Sequence, residues 1–387
     1  MAVERIAKGG DGVGVGPDGR VVFVASGVPG DRVEVRITLD KKRFRRGEIV
    51  SIVEPSPDRV EPPCPHVAEG CGGCDWQHIA IGAQHDLRLR IVTDALERIG
   101  KLPSPPVIAG APLESERYRT TIRAAVSGDR AGYRAAQSHR VVVPNHCLIA
   151  HPLAEEILVQ GRFPGAEEVT IKVGGNTGER LVIVSPSATG CTVPDGVQLI
   201  GRDELLDGAT TAITDIVDGV RLRISADSFF QSRTDGAEAL VAAAAEMIAN
   251  AEDGPLVDAY CGGGLFGALL GGERHVTGVE SNRSSLDDAR VNLGPDAEVH
   301  DSLVEQWWPS PATVVIADPA RAGLGKPAVD VLAATGATTL VLVSCDPASL
   351  GRDAALLIDA GFLLRDVRVF DLFGHTSHIE TVAHFER

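Results

Sequence analysis

The sequence predicts an α/β protein whose carboxyl-terminal domain is doubly wound around a parallel-rich sheet. A small OB-like β-barrel and a central α+β domain precede it. Strand-like and helix-like segments alternate from about residue 226 onward, which indicates βαβ units. Short strands broken by turns fill the first 55 residues, and the stretch between mixes both patterns. The chain of 387 residues is long enough for two or three domains.

The first predicted domain covers residues 1–60 and consists of strands. The segments VVFVASG, RVEVRITL and GEIVSIVE have strand composition, and DG, PDG and VPGD turns break this part of the chain. Several short strands in this length suit an OB-like barrel, a fold often used to bind RNA. The proline-rich stretch EPSPDRVEPPCP then leads into the next domain.

The second predicted domain, residues 61–225, is mixed. It opens with closely spaced cysteines, and QHDLRLRIVTDALERIG then predicts an amphipathic helix with Gly100 at its C-terminal end. Farther on, VTIKVGG and RLVIVSP have strand character. We therefore expect an α+β unit.

The third predicted domain, residues 226–387, carries the alternating pattern. DGAEALVAAAAEMIANA predicts a helix, and strands are predicted at PLVDAYCGGG, HVTGVESN, TVVIADPA, TLVLVSCDPA and IETVAHF. Because the carboxyl ends of parallel strands meet at one edge of a sheet, α/β proteins place their chemistry there. Polar residues that follow these strands are therefore the candidates for function.

Charge and composition limit the possible partners. The net charge of −16 argues mildly against nucleic acid, but residues 1–60 hold 11 basic and 9 acidic side chains. Residues 41–46, KKRFRR, surround one aromatic ring with five cations, which suits RNA phosphates and a stacked base, although a solvated turn has the same composition. No apolar run is long enough for a membrane span, and no secretory signal is visible. We expect a cytoplasmic protein without membrane contact, whose seven cysteines serve metal binding or catalysis rather than disulfides.

A glycine-rich turn follows the first strand of the third domain. Gly262, Gly264 and Gly267 satisfy G-x-G-x-x-G, which lets a backbone approach a ligand. Glu280, at the end of the next strand, is spaced to accept hydrogen bonds from ribose hydroxyls. NAD and S-adenosylmethionine both present such hydroxyls, and a plain strand–helix turn with a capping acid gives the same pattern.

Two later strands end in an acid or a cysteine beside proline. Asp318-Pro319 stands where nucleic-acid methyltransferases carry an acid-Pro-Pro type motif, which favours S-adenosylmethionine over NAD. Cys345 follows the strand VLVS and precedes Asp346-Pro347. It is a candidate nucleophile, although a single cysteine at a strand end is more often a small buried residue.

Four further cysteines have the spacing of metal ligands. Cys64-x6-Cys71-x2-Cys74, with Cys147 distant, could bind zinc or an iron–sulfur cluster, and separate buried thiols are the alternative. Cys191 has no obvious ligand partner, and Cys261 likewise is interpreted as structural.

Taken together, these residues resemble the bacterial RNA (uracil-5-)-methyltransferases over nearly the whole chain. The resemblance implies an amino-terminal TRAM domain, a Rossmann-like class I methyltransferase domain, S-adenosyl-L-methionine as methyl donor and a [4Fe–4S] cluster rather than zinc. It implies a covalent nucleophile at Cys345 and a base at Glu380, in His378-Ile379-Glu380. The donor-binding positions that it implies are Gln231 of Phe229-Phe230-Gln231, Tyr260, Gly262, Gly264, Glu280, Asp301 and Asp318. The cluster ligands that it implies are Cys64, Cys71, Cys74 and Cys147.

The resemblance also predicts which RNA is the substrate, and the departures from it suggest alternative functions. Members that act on transfer RNA typically lack this cysteine set, so the resemblance favours 23S ribosomal RNA over transfer RNA. No obligatory protein partner is expected. Arg233, Leu265 and Ala320 depart from the usual residues of the motifs. They motivate a rival hypothesis, an RNA-binding assembly factor with a decayed donor site. An NAD(P)-dependent oxidoreductase is the rival enzyme.

Overall fold

The structure, a computed structural model, describes residues 1–136 and 138–387. Its amino-terminal part is a five-stranded sheet in the order β1-β2-β3-β5-β4. The strands are β1 (Arg5–Ile6), β2 (Gly12–Val15), β3 (Val21–Val24), β4 (Arg32–Asp40) and β5 (Phe44–Glu54). The three strands expected from the sequence correspond to β3, β4 and β5, and the KKRFRR run forms the turn between the last two and the start of β5.

The middle of the chain is α+β. Its elements are α1 (Ile81–Arg98), β6 (Val107–Ala109), β7 (Thr121–Ser127), β8 (Arg130–Arg134), β9 (Val141–Val142), α2 (Pro152–Gln160), β10 (Glu168–Val173), β11 (Arg180–Ser185), β12 (Gln198–Gly201), α3 (Arg202–Leu206), β13 (Ala212–Val217) and β14 (Val220–Ser225). A six-stranded sheet has the order β12-β11-β10-β7-β8-β9, and β13 pairs with β14. The two strands expected from the sequence are β10 and β11.

The carboxyl-terminal part is an eight-stranded sheet with helices on both faces, and the predicted α/β class is confirmed. Its elements are α4 (Thr234–Ile248), β15 (Leu256–Ala259), α5 (Leu265–Leu270), β16 (Val276–Glu280), α6 (Arg283–Asn292), β17 (Glu298–Asp301), β18 (Val314–Ala317), α7 (Gly325–Ala334), β19 (Thr339–Ser344), α8 (Pro347–Asp359), β20 (Leu363–Phe370) and β21 (Glu380–Glu386). The strand order is β17-β16-β15-β18-β19-β21-β20-β6. Strands β17, β16, β15, β18 and β19 run parallel to one another, whereas β21 is antiparallel to both β19 and β20.

Helix α1 packs directly on α8, and two glycines allow the close approach. A Cβ on Gly351 would come 2.7 Å from the carbonyl oxygen of Ala95, and one on Gly100 would come 2.9 Å from that of Gly351. Gly100 therefore serves helix packing and has no positive φ that would require glycine. Because α8 begins two residues after Cys345, α1 braces the helix behind the candidate nucleophile.

The predicted central domain is not confined to its own sheet. Strand β6 pairs in parallel with β20 at the edge of the eight-stranded sheet. The domain limits at residues 60 and 225 therefore remain a proposal. Within the described residues, no helix is long and apolar enough to cross a membrane.

Candidate active site

Cys345 lies between a buried strand and the start of a helix. All six residues of β19 are buried, and Cys345 beyond them is half-buried. Asp346 then caps α8, because its Oδ1 accepts a hydrogen bond from the backbone N–H of Ser349 at 2.9 Å, with Pro347 in the first helical turn. The chain reversal leaves the thiol at the carboxyl edge of the sheet.

Glu380 reaches the same edge from the opposite direction. The antiparallel register pairs Ser344 of β19 with Thr381 of β21, and the Thr381 hydroxyl donates to the Ser344 carbonyl at 2.9 Å. Cys345 directly follows Ser344 and Glu380 directly precedes Thr381, so the two residues are neighbours at the end of this strand pair. Facing residues of an antiparallel pair have Cβ atoms about 5 Å apart. Glu380 is only 4% exposed, so the base predicted from the sequence is brought beside the predicted nucleophile.

The pKa values of the acid–base groups at this edge of the sheet are shifted far from their ordinary values. Burial raises the pKa of the Cys345 thiol to about 11, and the nearby Glu380 and Asp318 carboxyls add to the rise. Burial also raises the pKa of Glu380 well above its ordinary value, and that of Asp318 to about 7. Arg321 counteracts this, since its charge lowers the pKa of both Cys345 and Glu380. Clustered groups of this kind mark functional sites.

The glycine-rich turn is built around two carboxylates. Glu280 accepts from the backbone N–H of Gly262 at 3.0 Å, and its other oxygen accepts from two residues that follow it. Asp258 accepts from the N–H of Gly267 at 2.8 Å, while its Oδ1 is buried with no hydrogen-bond partner within the described residues. Burial raises the pKa of Asp258 to about 7. Nothing in the sequence pattern assigned a role to Asp258, which lies in β15 just before the turn.

The backbone of this turn is left-handed and open on one side. Tyr260 has φ 57° and Gly264 has φ 84°. At Gly262, with φ 54°, an added Cβ would meet no atom within 4 Å. The turn therefore has free space at the position where a ligand would approach.

The remaining predicted donor residues lie around this turn. Gln231 is buried and donates from Nε2 to Asp318 Oδ2 at 3.3 Å, which links the loop before α4 to the end of β18. Asp301 is exposed and pairs in register with Glu280 at the ends of two parallel strands. The predicted donor residues thus follow four adjacent strands or, like Gln231, contact one of their ends.

Arg233, which departs from the usual motif residue, is a structural anchor. Its side chain is fully buried, binds both oxygens of Asp235 at 2.7 and 2.6 Å, and donates to the carbonyls of Glu114 and Leu372. Its guanidinium also lies 4.5 Å from the centre of the Tyr118 ring. These bonds tie the start of α4 to the surrounding loops and leave the donor turn untouched. The substitution therefore gives no reason to expect a decayed donor site.

The four predicted cluster cysteines line one pocket. Cys64 and Cys147 are buried, Cys71 and Cys74 are half-buried, and Tyr133 forms part of the wall. Within the described part of the chain, no group of three or more His, Cys, Asp or Glu residues has the arrangement needed to hold a metal ion. The distant fourth cysteine is thus brought to the other three, but the [4Fe–4S] cluster remains a prediction.

The fold and the site define a protein of the class I methyltransferase type. Residues 2–50 match the TRAM domain family. The chain is 34% identical over 424 residues to an RNA methyltransferase of Streptomyces avermitilis and 33% identical over 440 residues to one of Gloeobacter violaceus. These alignments cover all of this chain and 97% and 96% of the relatives. The chain belongs to this RNA methyltransferase family.

A solved structure has the same fold throughout. The tRNA (uracil-54, C5)-methyltransferase of Pyrococcus abyssi, in complex with S-adenosyl-L-homocysteine, superposes with a TM-score of 0.74 at 23% identity. The match covers 100% of this chain and 99% of that one. The whole arrangement of the three parts is therefore shared, not only the methyltransferase sheet.

Proposed function

We propose that this protein transfers a methyl group from S-adenosyl-L-methionine to C5 of a uridine in RNA, with 23S ribosomal RNA as the preferred substrate. The observation that carries the proposal is the placement of Cys345 beside Glu380 at the end of the β19–β21 pair. RNA methylation at a heteroatom would need no cysteine nucleophile, whereas C5 of uracil is too electron-poor to attack a methyl group unaided.

The chemistry follows from these two side chains. The Cys345 thiolate adds to C6 of the uracil, and the ring electrons move onto C5 and O4 as an enolate. C5 then attacks the methyl carbon of the donor, whose sulfur leaves as the thioether of S-adenosylhomocysteine. Glu380 removes the proton from C5, and the Cys345–C6 bond breaks to restore the ring and the thiolate. The target base has to leave its stack to reach this edge.

The residues present fit the donor. Glu280 uses three of its roughly four lone-pair directions on backbone amides, which leaves capacity for a ribose hydroxyl. Asp258 has a buried oxygen without a partner, and the space beside Gly262 is open. Tyr260, Asp301 and Gln231 would complete the donor site, and Asp318 would orient the donor or the base.

The direct test is nucleoside mass spectrometry for 5-methyluridine. Protein prepared without oxygen is incubated with S-adenosylmethionine and unmodified 23S ribosomal RNA, or with unmodified transfer RNA. Product in the ribosomal RNA alone supports the proposal. Product only in transfer RNA would show that transfer RNA is the substrate instead. Transfer RNA is the second candidate because the Pyrococcus neighbour is a tRNA methyltransferase. Absence of product from both RNAs would contradict it.

We expect RNA binding to depend on only part of the basic run. Arg45 is ion-paired with Asp18 and Asp40, and Arg46 with Asp11. Lys41, Lys42 and Arg43 are exposed at the turn and have no ion-pair partner in the described chain. The five cations expected to act together are therefore not equivalent, and the three at the turn are the ones available to phosphates.

Replacing Lys41, Lys42 and Arg43 together by alanine is expected to weaken RNA binding. The slope of log K against log salt should flatten by about 2, since each lost phosphate contact on single-stranded RNA contributes about 0.7. Fluorescence titration at several salt concentrations measures this slope. Replacing Arg45 and Arg46 by glutamine is the matched control and should flatten it less. An unchanged slope in the triple variant would place the RNA elsewhere.

The cysteine pocket is expected to hold iron and sulfide. Cys64, Cys71, Cys74 and Cys147 would hold the cluster by their thiolates, and its expected contribution is to fix the loop on which three of them lie. Replacing Cys74 by alanine should remove most of the iron and acid-labile sulfide from protein purified without oxygen, as measured by chemical analysis and visible absorption. Replacing Cys191, which lies outside the pocket, should change neither. Zinc in place of iron, or equal iron in both variants, would refute the cluster.

Methylation is expected to accelerate as the pH rises through neutrality. The pKa values of Cys345 and Glu380 are both raised, and both groups act in the ionised form, which gains population with increasing pH. Because Arg321 lowers both pKa values, replacing it by methionine should move this rise to higher pH and slow the reaction at pH 7 about tenfold. The rate of methylation measured against pH with saturating RNA gives the midpoint of this rise. An unchanged midpoint in the variant would show that Arg321 does not lower the pKa of the reacting groups.

A further inference from the structure

Residues 371–379, here called the base-bearing segment, connect β20 to Glu380 at the start of β21. The segment has no regular secondary structure of its own. His375 within it has φ 65°, and both of its ring nitrogens are buried without a partner among the described residues. A left-handed backbone at a non-glycine residue persists only where its surroundings impose it. Something outside the segment must therefore hold it.

Among the described residues, Arg88 of α1 makes more hydrogen bonds to this segment than any other side chain. Further bonds come from Asp75, Trp76, Gln84, His85, Tyr118 and Arg233. The Arg88 side chain is 1% exposed. Its guanidinium donates to the carbonyl oxygens of Phe373 at 3.1 Å, Thr376 at 2.7 Å and His378 at 3.2 Å. It also donates to the Asp371 carboxylate at 2.9 Å. A single planar group thus holds four points of a nine-residue segment, and the last of them is two residues before Glu380.

Arg88 is itself fixed in place. Its guanidinium lies 5.1 Å from the centre of the Trp76 ring, and it contacts Gln84 one helical turn earlier. Gln84 in turn accepts from the backbone N–H of His375 at 2.9 Å. Asp371 supplies the opposite charge, so that the buried cation is paired, and it is held from its other side by His85 at 2.7 Å.

We propose that Arg88 is a positioning residue for the base, which holds the base-bearing segment so that Glu380 faces C5 of the uracil bound to Cys345. The inference rests on the proposed function, because it concerns the base of that reaction. The register of β21 fixes the backbone after Glu380, and Arg88 fixes the backbone before it. The carboxylate can be aimed only when both sides are held.

The segment also carries His378, whose Nδ1 lies 3.4 Å from the guanidinium of Arg321. Loss of Arg88 would therefore disturb the surroundings of both Glu380 and Arg321. Binding of the donor would not change, because the donor turn is built from β15 and β16 and receives no bond from Arg88. Removing the C5 proton, which needs an aimed carboxylate, is the step that should slow.

The experiment compares Arg88→Lys and Arg88→Met with the wild type. Steady-state kinetics with varied S-adenosylmethionine and unmodified RNA are combined with denaturing gels that detect the covalent RNA–protein adduct. We expect kcat to fall about 100-fold in Arg88→Met, the loss typical of a small misplacement of a reacting group. The KM for the donor should stay within about twofold, and the adduct should accumulate during turnover. Arg88→Lys keeps the positive charge but loses the planar set of N–H donors, so its kcat and adduct level should lie between those of the wild type and Arg88→Met.

The matched control is Arg162→Met. Arg162 donates to three backbone carbonyls through one nitrogen, but in the central part of the chain. It should leave kcat and the adduct level unchanged. A parallel fall of adduct and product in both Arg88 variants, or kinetics equal to the wild type in Arg88→Lys, would overturn the positioning role. If the wild type forms no 5-methyluridine, both the proposed function and the positioning role are refuted. If the wild type is active, a negative result with the Arg88 variants refutes only the positioning role.

Discussion

Replacing Cys345 by alanine is expected to abolish 5-methyluridine formation, by more than about 1,000-fold, and to remove every trace of a covalent RNA adduct. The loss should be this large because the thiolate makes C5 nucleophilic, and no neighbouring group can form the same bond to C6. Mass spectrometry of the digested RNA measures the first effect. A denaturing gel with RNA that carries 5-fluorouridine measures the second, since C5 then has no proton to lose and the adduct persists.

The structure offers a matched control for this prediction. Cys191 is also a free, half-buried cysteine and lies in the central part of the chain, so Cys191→Ala tests general thiol loss. Donor binding to Cys345→Ala, measured by calorimetry with S-adenosylhomocysteine, should equal that of the wild type. Methylation that survives in Cys345→Ala would exclude the covalent mechanism, while loss of donor binding would show that the variant is misfolded.

The raised pKa of Cys345 has a consequence for this mechanism. Burial and the two neighbouring carboxyls raise the pKa of Cys345 and so favour the thiol over the thiolate in the free protein. In the proposed mechanism the thiol proton has to pass to water or to a carboxylate before the sulfur adds to C6, and the positive charge of Arg321 favours the thiolate that results. A nucleophile that is unreactive without its substrate is consistent with a half-buried cysteine next to an acidic pair.

The strands of the parallel part of the sheet can be predicted from the sequence because each is recognisable from its own residues. Strands β15, β16, β18 and β19 are short apolar runs followed by turns and helices. The pairing of β6 with β20 could not be predicted, because β6 has three residues and its partner lies more than 250 positions later. The antiparallel insertion of β21 between β19 and β20 likewise depends on packing rather than on local pattern.

The same distinction applies to the site. Sequence motifs predict Cys345 and Glu380 as the nucleophile and the base, and the register of β19 with β21 explains why the two lie close together. Arg88 was not identified, although the sequence contained a signal. An arginine stands between Leu87 and Ile91 on the buried face of an amphipathic helix, where a charge has to find a partner. What the sequence could not supply was the partner, a segment almost 290 residues away.

Replacing Glu380 by glutamine is expected to trap the reaction after methyl transfer. Cys345 can still add to C6 and C5 can still take the methyl group, but the amide cannot accept the C5 proton, so the Cys345–C6 bond does not break. Turnover should fall by about 100- to 10,000-fold, the usual contribution of a positioned base. A methylated RNA–protein adduct should appear on a denaturing gel in an amount close to that of the enzyme.

Two variants decide whether this result belongs to Glu380. Asp318→Asn removes the other carboxyl of the cluster, which is half-buried, and Glu386→Gln removes a carboxyl at the far end of the strand that carries Glu380. Neither should accumulate methylated adduct, because the Asp318 carboxylate accepts its hydrogen bond from Gln231 and not from β21, while Glu386 is paired with Arg365. If Asp318→Asn trapped the adduct and Glu380→Gln did not, the base would be Asp318. Glu380, buried with its pKa raised well above the ordinary value, would then act on Cys345 instead, as the acceptor of the thiol proton that precedes addition.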